Sequence, residues 1–478
     1  MRNPIDVRIL SIALALQFMI AGAAFGAQNL KTVCDVGCTH TSLQAAIDAV
    51  PDNATVPWTI FVGAGVWTSD TAIDIDAKDN LTITGYGDEA SIIQATSTYF
   101  TNATASTPTT AEEFVTISDS HNIVIREIQI DATTNAPSTL PVDSLGGGLA
   151  GVFIDGGTGS AAAMGPFRFE DCTIKGFQWG LTDDNLADST KIEVYGSRIW
   201  ADYTSTWARS GNWLVWSSDL RADSRLTDTA TDTAIGLYLS EEYHRFTLWG
   251  SHVHAESHET GTVGTVAGLW ESANTTTDDE LVAIGTTFHA KMAAIPTTGP
   301  GVVVAVRADG DSDLLFVGSD LLYEAPAEDG GSTLSSGSVG GILSGGSPDG
   351  VVSLTGVAFV NRAVDGTAVA GATQADVYTT PGSKDIRFAG SSPASTSGNR
   401  SNAKSTDTME MQSGTDTFQT SDTLTITLPV ALPNNKYKVA LSVDANETVW
   451  VDSKTATQFT VKSSVTSDAS VDWFVRYN

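Results

Sequence analysis

Basic side chains are scarce in this chain. Lys and Arg together number 25 against 56 Asp and Glu, a formal charge of −31. Nucleic acid is held chiefly by basic side chains on phosphate, so no nucleic-acid partner is expected. A polyuronate is repelled as well, unless a divalent cation bridges the two surfaces. A neutral or aminated glycan, or a Ca²⁺-dependent site, is the easier partner; a purely solubilising surface is the plainer alternative. Cysteine is nearly absent, at three residues. Cys34 and Cys38 flank a short turn containing Gly37, close enough for a disulfide in an oxidising compartment, and Cys172 is left as a lone thiol. No second Cys or His pair stands near them at zinc-finger spacing. Long hydrophobic runs are limited to residues 9–24, which carry no charge. Arg2 and Arg8 precede that run and small residues follow it up to Ala27, so residues 1–27 read as a secretory signal peptide. A membrane anchor needs about 20 apolar residues, and no other segment reaches that length. Apolar residues spaced three and four apart are almost missing after Val50, which argues against a helical solenoid.

What the chain does have is one recurring phrase. An alternating apolar strand runs into Gly or a small or polar residue, then two variable residues, then another apolar one. It reads LTITG at 81–85, IVIREIQI at 123–130, FRFEDCTI at 167–174, IEVYGSRI at 192–199 and WLVWSSDL at 213–220. FTLWGSHV at 246–253, LVAIGTTF at 281–288, LLFVGSDL at 314–321, VSLTGVAF around Gly356 and IRFAG at 386–390 complete the set. Marker positions are as close as 21 residues (Gly196 to Ser217) and as far as 44 (Glu127 to Asp171). Period-two alternation is the strand signal, and self-similarity at this spacing is the solenoid signal. A propeller needs four strands per blade, and each unit here offers two or three. The reading is therefore all-β: a right-handed parallel β-helix over residues 28–390 whose coils differ in loop length.

Residues 42–50 place Leu43, Ala46, Ile47 and Val50 on one helical face, suited to plugging the open end of the solenoid. The order from this helix to the strand at 58–62 and then to 63–68 resembles the opening of the pectin-lyase-like superfamily. Its members run from an IQAAID helix into TIYVPAGTY and later LTITG. The matching segments are 43–48, 59–67 and 81–85. The resemblance implies the β-helix fold and leaves the reaction open, since the superfamily holds lyases, hydrolases, isomerases, phage tailspikes and inert proteins.

Residues 391–415 are rich in Ser, Thr, Asn and Gly and read as a linker. Five strand-like segments follow at 423–429, 437–443, 448–451, 458–461 and 470–477, a small β-sandwich over 416–478. Tyr437–Val439, Trp450–Thr455, Phe459–Val461 and Val471–Trp473 give this tail a resemblance to phage fibre heads and, more distantly, to H-type lectins. That resemblance implies a trimerising or glycan-contacting module, and with it a homotrimer.

A second set of strands opens on Gly: GVFID at 151–155, GLTDD at 180–184, GLYLSEE at 236–242 and GLWES at 268–272, followed by GVVVAVR at 301–307 and GGILS at 340–344. If Val152, Leu181, Leu237 and Leu269 point inward, alternation puts Phe153, Thr182, Tyr238 and Trp270 outward. Coils lie about 4.8 Å apart, so these side chains form a ladder on which sugar rings could stack. Asp155, Asp183, Asp184, Glu241, Glu242 and Glu271 cluster at the same strand ends. A pair of carboxylates is what glycoside hydrolysis uses, so Asp155, Asp184, Glu241, Glu242 and Glu271 are the catalytic candidates. Polysaccharide lyases of this fold instead need a basic residue as proton abstractor and usually Ca²⁺ carboxylates; Arg209 and Arg307 are available and also suit glycan binding, but the Arg or Lys motif of those lyases does not match here. The polygalacturonase signatures Asn-x-Asp, Asp-Asp and Gly-His-Gly are not present as a set.

Histidines offer a rival site. His254 and His289 share one repeat position and should stack on adjacent coils, with His252 two residues along on the same face. Three imidazoles within reach suit a transition metal or acid–base work; a solvated histidine ladder is the alternative. Asp309, Asp311 and Asp313 suggest a Ca²⁺ loop, but Leu314 and Asp320 stand where an EF-hand needs Gly and Glu. Three function classes follow. A secreted or virion-surface glycan-binding protein needs the ladder. A polysaccharide-degrading enzyme needs carboxylates converging in a groove, flanked by long loops such as 96–113 or 133–148. A structural surface protein needs neither.

Overall fold

The computed structural model describes residues 29–100, 113–134, 149–156, 164–184, 186–224, 232–240, 243–258, 263–272, 279–292, 302–324, 338–344, 350–361, 373–379, 385–389, 412–428, 437–443 and 449–477. The signal-peptide segment, Glu241, Glu242 and the cores of the loops at 96–113 and 133–148 lie outside them. Among the described residues no helix is long and apolar enough to cross a membrane.

The chain forms a three-faced parallel β-helix. Its first face is a twelve-stranded parallel sheet running from Leu30–Val33 to Asp385–Ala389. The second face runs from Gly65–Ser69 through Asp219–Ser224, His252–Ser257 and Thr287–Met292 to Ala358–Asn361. The third runs from Ile73–Asp76 through Ala150–Asp155, Asp232–Leu239 and Val263–Glu271 to Thr373–Thr379. Thr173–Asp184 and Arg198–Ala208 bend from second face to third without a break, which joins those two faces into one sheet.

Each recurring phrase is a corner. The apolar alternation fills the first face, whose inward rows such as Ile125, Phe169, Val194, Val215, Leu248 and Phe316 are buried. The marker residue then turns the chain in the left-handed region: Gly196, Gly250, Gly285, Gly318 and Gly356 have φ between 55° and 60°. Glycine adopts that conformation without Cβ strain, whereas Glu127, Asp171 and Ser217 hold it with a side chain. The next residue is a buried hydroxyl on most coils. Ser197, Ser218 and Ser251 accept the amides of Cys172, Ser197 and Ser218 in turn, at 3.1–3.3 Å. Cys172 takes a place in that ladder as a buried free thiol, its pKa pushed up to about 12 by burial. This column satisfies corner amides that no strand ladder reaches.

The first coil is closed as the sequence suggests. Ser42 caps the helix Leu43–Asp48, accepting the Ala45 amide at 3.2 Å, and Leu43, Ala46 and Ile47 are buried. Gln44 ties the helix to the backbone of Asp74 in both directions, at 2.8 and 3.1 Å. Cys34 and Cys38 are disulfide-bonded. At the other end, two three-stranded antiparallel sheets form a sandwich, Gln412–Thr417, Ser470–Tyr477 and Tyr437–Val443 against Ser421–Thr427, Gln458–Ser467 and Val449–Lys454. Ile426, Phe459 and Val461 of one sheet pack on Val471, Trp473 and Val475 of the other. The strand Gln412–Thr417 corrects the linker boundary: the end of the stretch read as linker is already sheet. Its residues are all polar or Gly, so no alternation marked it.

Candidate functional site

The third face carries the expected ladder, in register. Val152, Leu181, Thr206, Leu237, Leu269 and Val306 are Cα partners and face inward. One residue on, Phe153, Thr182, Trp207, Tyr238, Trp270 and Arg307 line up on successive coils and face out. The Gly residues one position before the inward row lie inside these strands and permit a close approach between coils. A Cβ on Gly180 would meet the Ser205 carbonyl at 2.4 Å, and one on Gly236 the Gly268 carbonyl at 2.7 Å.

Trp207 is a member that sequence reasoning missed. It packs against its neighbours: Trp179 lies edge-on at 4.8 Å, Tyr238 is tilted at 5.6 Å, and Tyr238 in turn stands 5.2 Å from Trp270. Phe153, Trp207, Tyr238 and Trp270 are half-buried, while Thr182 is covered. Both arginines lie on this wall. Arg307 lies over the Trp270 ring at 4.2 Å and pairs with Asp309 at 2.6 Å. Arg209 lies over Trp207 at 5.0 Å and pairs with Asp184 at 2.9 Å. The same aromatic–guanidinium–carboxylate unit thus appears twice along one face. Guanidinium groups held this way present remaining N–H donors at fixed angles beside apolar rings.

The carboxylates divide by alternation. Asp155 and Asp184 are Cα partners on adjacent coils, both half-buried beside the ladder. Glu271 is different and corrects its place among the catalytic candidates. It falls on the inward side of its strand, fully buried, and accepts the amides of Gly310 at 3.0 Å and Ser312 at 3.1 Å. A substrate on the outer surface cannot reach it. Asp183, the residue before Asp184, likewise faces inward and closes a turn. It accepts the Arg209 and Ser210 amides at 2.9 and 3.0 Å and the Ser210 hydroxyl at 2.5 Å. Burial raises its pKa to about 7 against the pull of those donors. Glu271 also shapes the turn read as a Ca²⁺ loop. Asp309 of that turn is engaged by Arg307, and Asp313 accepts the Val351 amide at 2.8 Å.

The second face holds the histidines. Trp200, Arg221, His254, His289 and Leu322 form one row of Cα partners. His252 lies two residues before His254, their ring centroids 5.8 Å apart. His254 and His289 are buried, which corrects the alternative of a solvated ladder, and their Nδ1 atoms are 3.0 Å apart. Ion pairs surround them: Glu256 reaches Lys291 at 2.7 Å and Arg221 at 3.3 Å, and His258 reaches Asp223 at 2.9 Å. Burial pulls the Glu256 pKa upward, but hydrogen bonds from Lys291 and His254 bring it below the usual carboxylate range.

No family model and no curated protein matches this chain. Among solved structures it is similar to pectin methylesterase PemA from Erwinia chrysanthemi, at 16% identity and a TM-score of 0.39, over 56% of this chain and 80% of that one. It is similar to the Dettilon tailspike protein at 11% identity and a TM-score of 0.38, over 95% of both chains. It is also similar to tailspike protein 2 from Escherichia coli O157:H7 bacteriophage CAB120, at 11% identity and a TM-score of 0.42, over 86% of this chain and 55% of that one. Similarity this remote leaves function to be read from the site itself.

Proposed function

We propose that this is an exported or virion-borne glycan-binding protein that lays a polysaccharide along the third face of its β-helix. The observation that carries the reading is the continuous row Trp207, Tyr238, Trp270 and Arg307, flanked by Asp155, Asp184, Arg209 and Asp309. Ring centroids one coil apart lie 5.6 and 5.2 Å from each other, close to one sugar unit of an extended chain. The apolar faces of sugars stack on such rings while their hydroxyls take the arginine donors and carboxylate acceptors. The formal charge of −31 favours a neutral or aminated glycan over a polyuronate. The C-terminal sandwich then serves as a terminal module for trimerisation or for a second glycan contact.

A second reading has its own support. Asp155 and Asp184 stand in register one coil apart, and retaining glycoside hydrolysis uses carboxylates about 5–5.5 Å apart. One assay separates the two. Mature protein is incubated with neutral, aminated and uronic polysaccharides, and retention and new reducing ends are followed. Retention without cleavage, weakened at least about tenfold by Trp270→Ala or Trp207→Ala, supports binding. Cleavage abolished by Asp155→Ala and Asp184→Ala supports hydrolysis. Retention unchanged by either tryptophan variant removes the third face from the proposal.

A further inference from the structure

We propose that His252, His254 and His289 form a three-imidazole site on the second face for one divalent transition-metal ion of the zinc class. The inference is independent of the glycan reading. One ring nitrogen from each of the three lies within 4.8 Å of the other two. The Nδ1 atoms of His254 and His289 are 3.0 Å apart. Nitrogens that each sit about 2.0–2.1 Å from a shared ion lie about 2.9–3.4 Å from one another, across octahedral to tetrahedral angles.

The opposite edges of the rings carry the argument further. His254 turns Nε2 to Glu256 at 3.3 Å, and His289 turns Nε2 to Glu324 at 3.7 Å. His252 turns Nδ1 to Asp219 at 3.2 Å, leaving its Nε2 as the ligand atom. His252 and His254 thus each have a hydrogen-bonded carboxylate behind them, the arrangement that fixes the tautomer and orientation of a metal-ligating histidine, and Glu324 stands at ion-pair distance behind His289. These carboxylates are themselves held: Lys291 pairs with Glu256 at 2.7 Å, and Trp200 Nε1 donates to Asp219 at 3.0 Å. All three ligands sit on strands in stacked coils, so their spacing follows from the solenoid instead of from a loop.

Chemistry narrows the ion. Three neutral nitrogens suit Zn²⁺, Co²⁺, Ni²⁺ or Cu²⁺, whereas Ca²⁺ and Mg²⁺ require oxygen ligands. His254 and His289 are buried and His252 is exposed, so the remaining coordination position opens to solvent on that side. Without an ion, the two facing Nδ1 atoms share one proton in an N–H···N bond. On binding, that proton shifts to the Nε2 of the same ring, towards its carboxylate, and none need be lost.

The test uses untagged full-length protein, stripped with chelator and dialysed. Calorimetric titration with Zn²⁺ should show one ion per chain, and Co²⁺ should give the visible bands of a nitrogen-ligated ion. His289→Ala and His254→Ala should weaken binding beyond measurement, and Glu256→Gln should weaken it by about 10–100-fold. His252→Ala alters an exposed side chain, so it reports on the site even if the buried variants fold poorly; it too should weaken binding at least about tenfold. Absence of saturable uptake of Zn²⁺, Co²⁺ and Ni²⁺ by the unmutated protein overturns the proposal. So does uptake that His252→Ala leaves unchanged.

Discussion

The lining and the outer surface of the third face are built from consecutive residues, yet their carboxylates have opposite duties. Asp183 and Glu271 face inward and are fully buried, closing turns by accepting backbone amides. Asp155 and Asp184 face outward beside the aromatic ladder, Asp184 within 2.9 Å of Arg209. Asp183 and Asp184 are neighbours in the chain, so composition and proximity cannot separate them. Only the pleat does: successive side chains of a strand leave on opposite sides. An acid on this face is therefore scaffold or surface according to its parity in the strand. The aromatic row obeys the same rule, since Trp270 lies out where Glu271 lies in.

Removing an inner acid sharpens this contrast most. Glu271→Ala leaves the Gly310 and Ser312 amides buried without an acceptor, at a cost of about 3 kcal/mol in chemical denaturation. Asp155→Ala, at a half-exposed side chain, should cost under about 1 kcal/mol. Equal stability of the two variants would erase the distinction between lining and surface.

A smaller effect is expected from pH. Asp183 titrates near 7 in the folded protein, burial outweighing the donors around it, and near 3.9 when unfolded. Between those values the folded state holds the extra proton. Its contribution to stability is thus favourable at low pH, falls as pH rises from about 4 to about 7, and is flat above. Within the window measured, pH 5 to 7.5, the change is on the order of 2.5 kcal/mol. His254, whose pKa burial lowers, acts in the opposite sense, so the group is isolated by difference. Thermal midpoints of the unmutated protein minus those of Asp183→Asn should decline from pH 5 to 7.5. A flat difference would mean that Asp183 is ionised throughout.

Much of this organisation is legible in the sequence, and the exceptions have physical causes. The strand alternation and the corner glycines identify the β-helix because each coil repeats the same φ and the same inward rows. His254 and His289 could be aligned because their phrases share a marker, Gly250 and Gly285. Trp207 is hidden from a pattern keyed to Gly because Ser205 stands in its strand where neighbouring coils have Gly180 and Gly236. Glu271 groups with the surface acids by its place at a strand end, yet it directly follows the outward Trp270, and parity counted from Leu269 puts it inside. The interlock of Arg307 with Trp270 and Asp309 spans coils, and no local spacing encodes it.

The smallest expected effect comes from the first face, where Trp216 and Trp249 stack at 5.0 Å with ring planes 12° apart. These rings are more exposed than the third-face ladder, at 43% and 45%. Exposure alone would make them the better sugar platform. They differ in their surroundings: Trp249 has only Trp216 and Ile284 beside it in its row, and the first-face unit of Arg168, over Tyr195 at 5.7 Å and paired with Glu193 at 2.7 Å, lies two coils away from it. On the third face each arginine–carboxylate unit lies against a ring, so apolar contact and hydrogen bonding converge on one sugar. Trp249→Ala should therefore change polysaccharide affinity by less than about twofold, against at least about tenfold for Trp270→Ala. Both values come from the same retention assay. The reverse order would move the glycan path to the first face, and with it the meaning of the two arginine–carboxylate pairs.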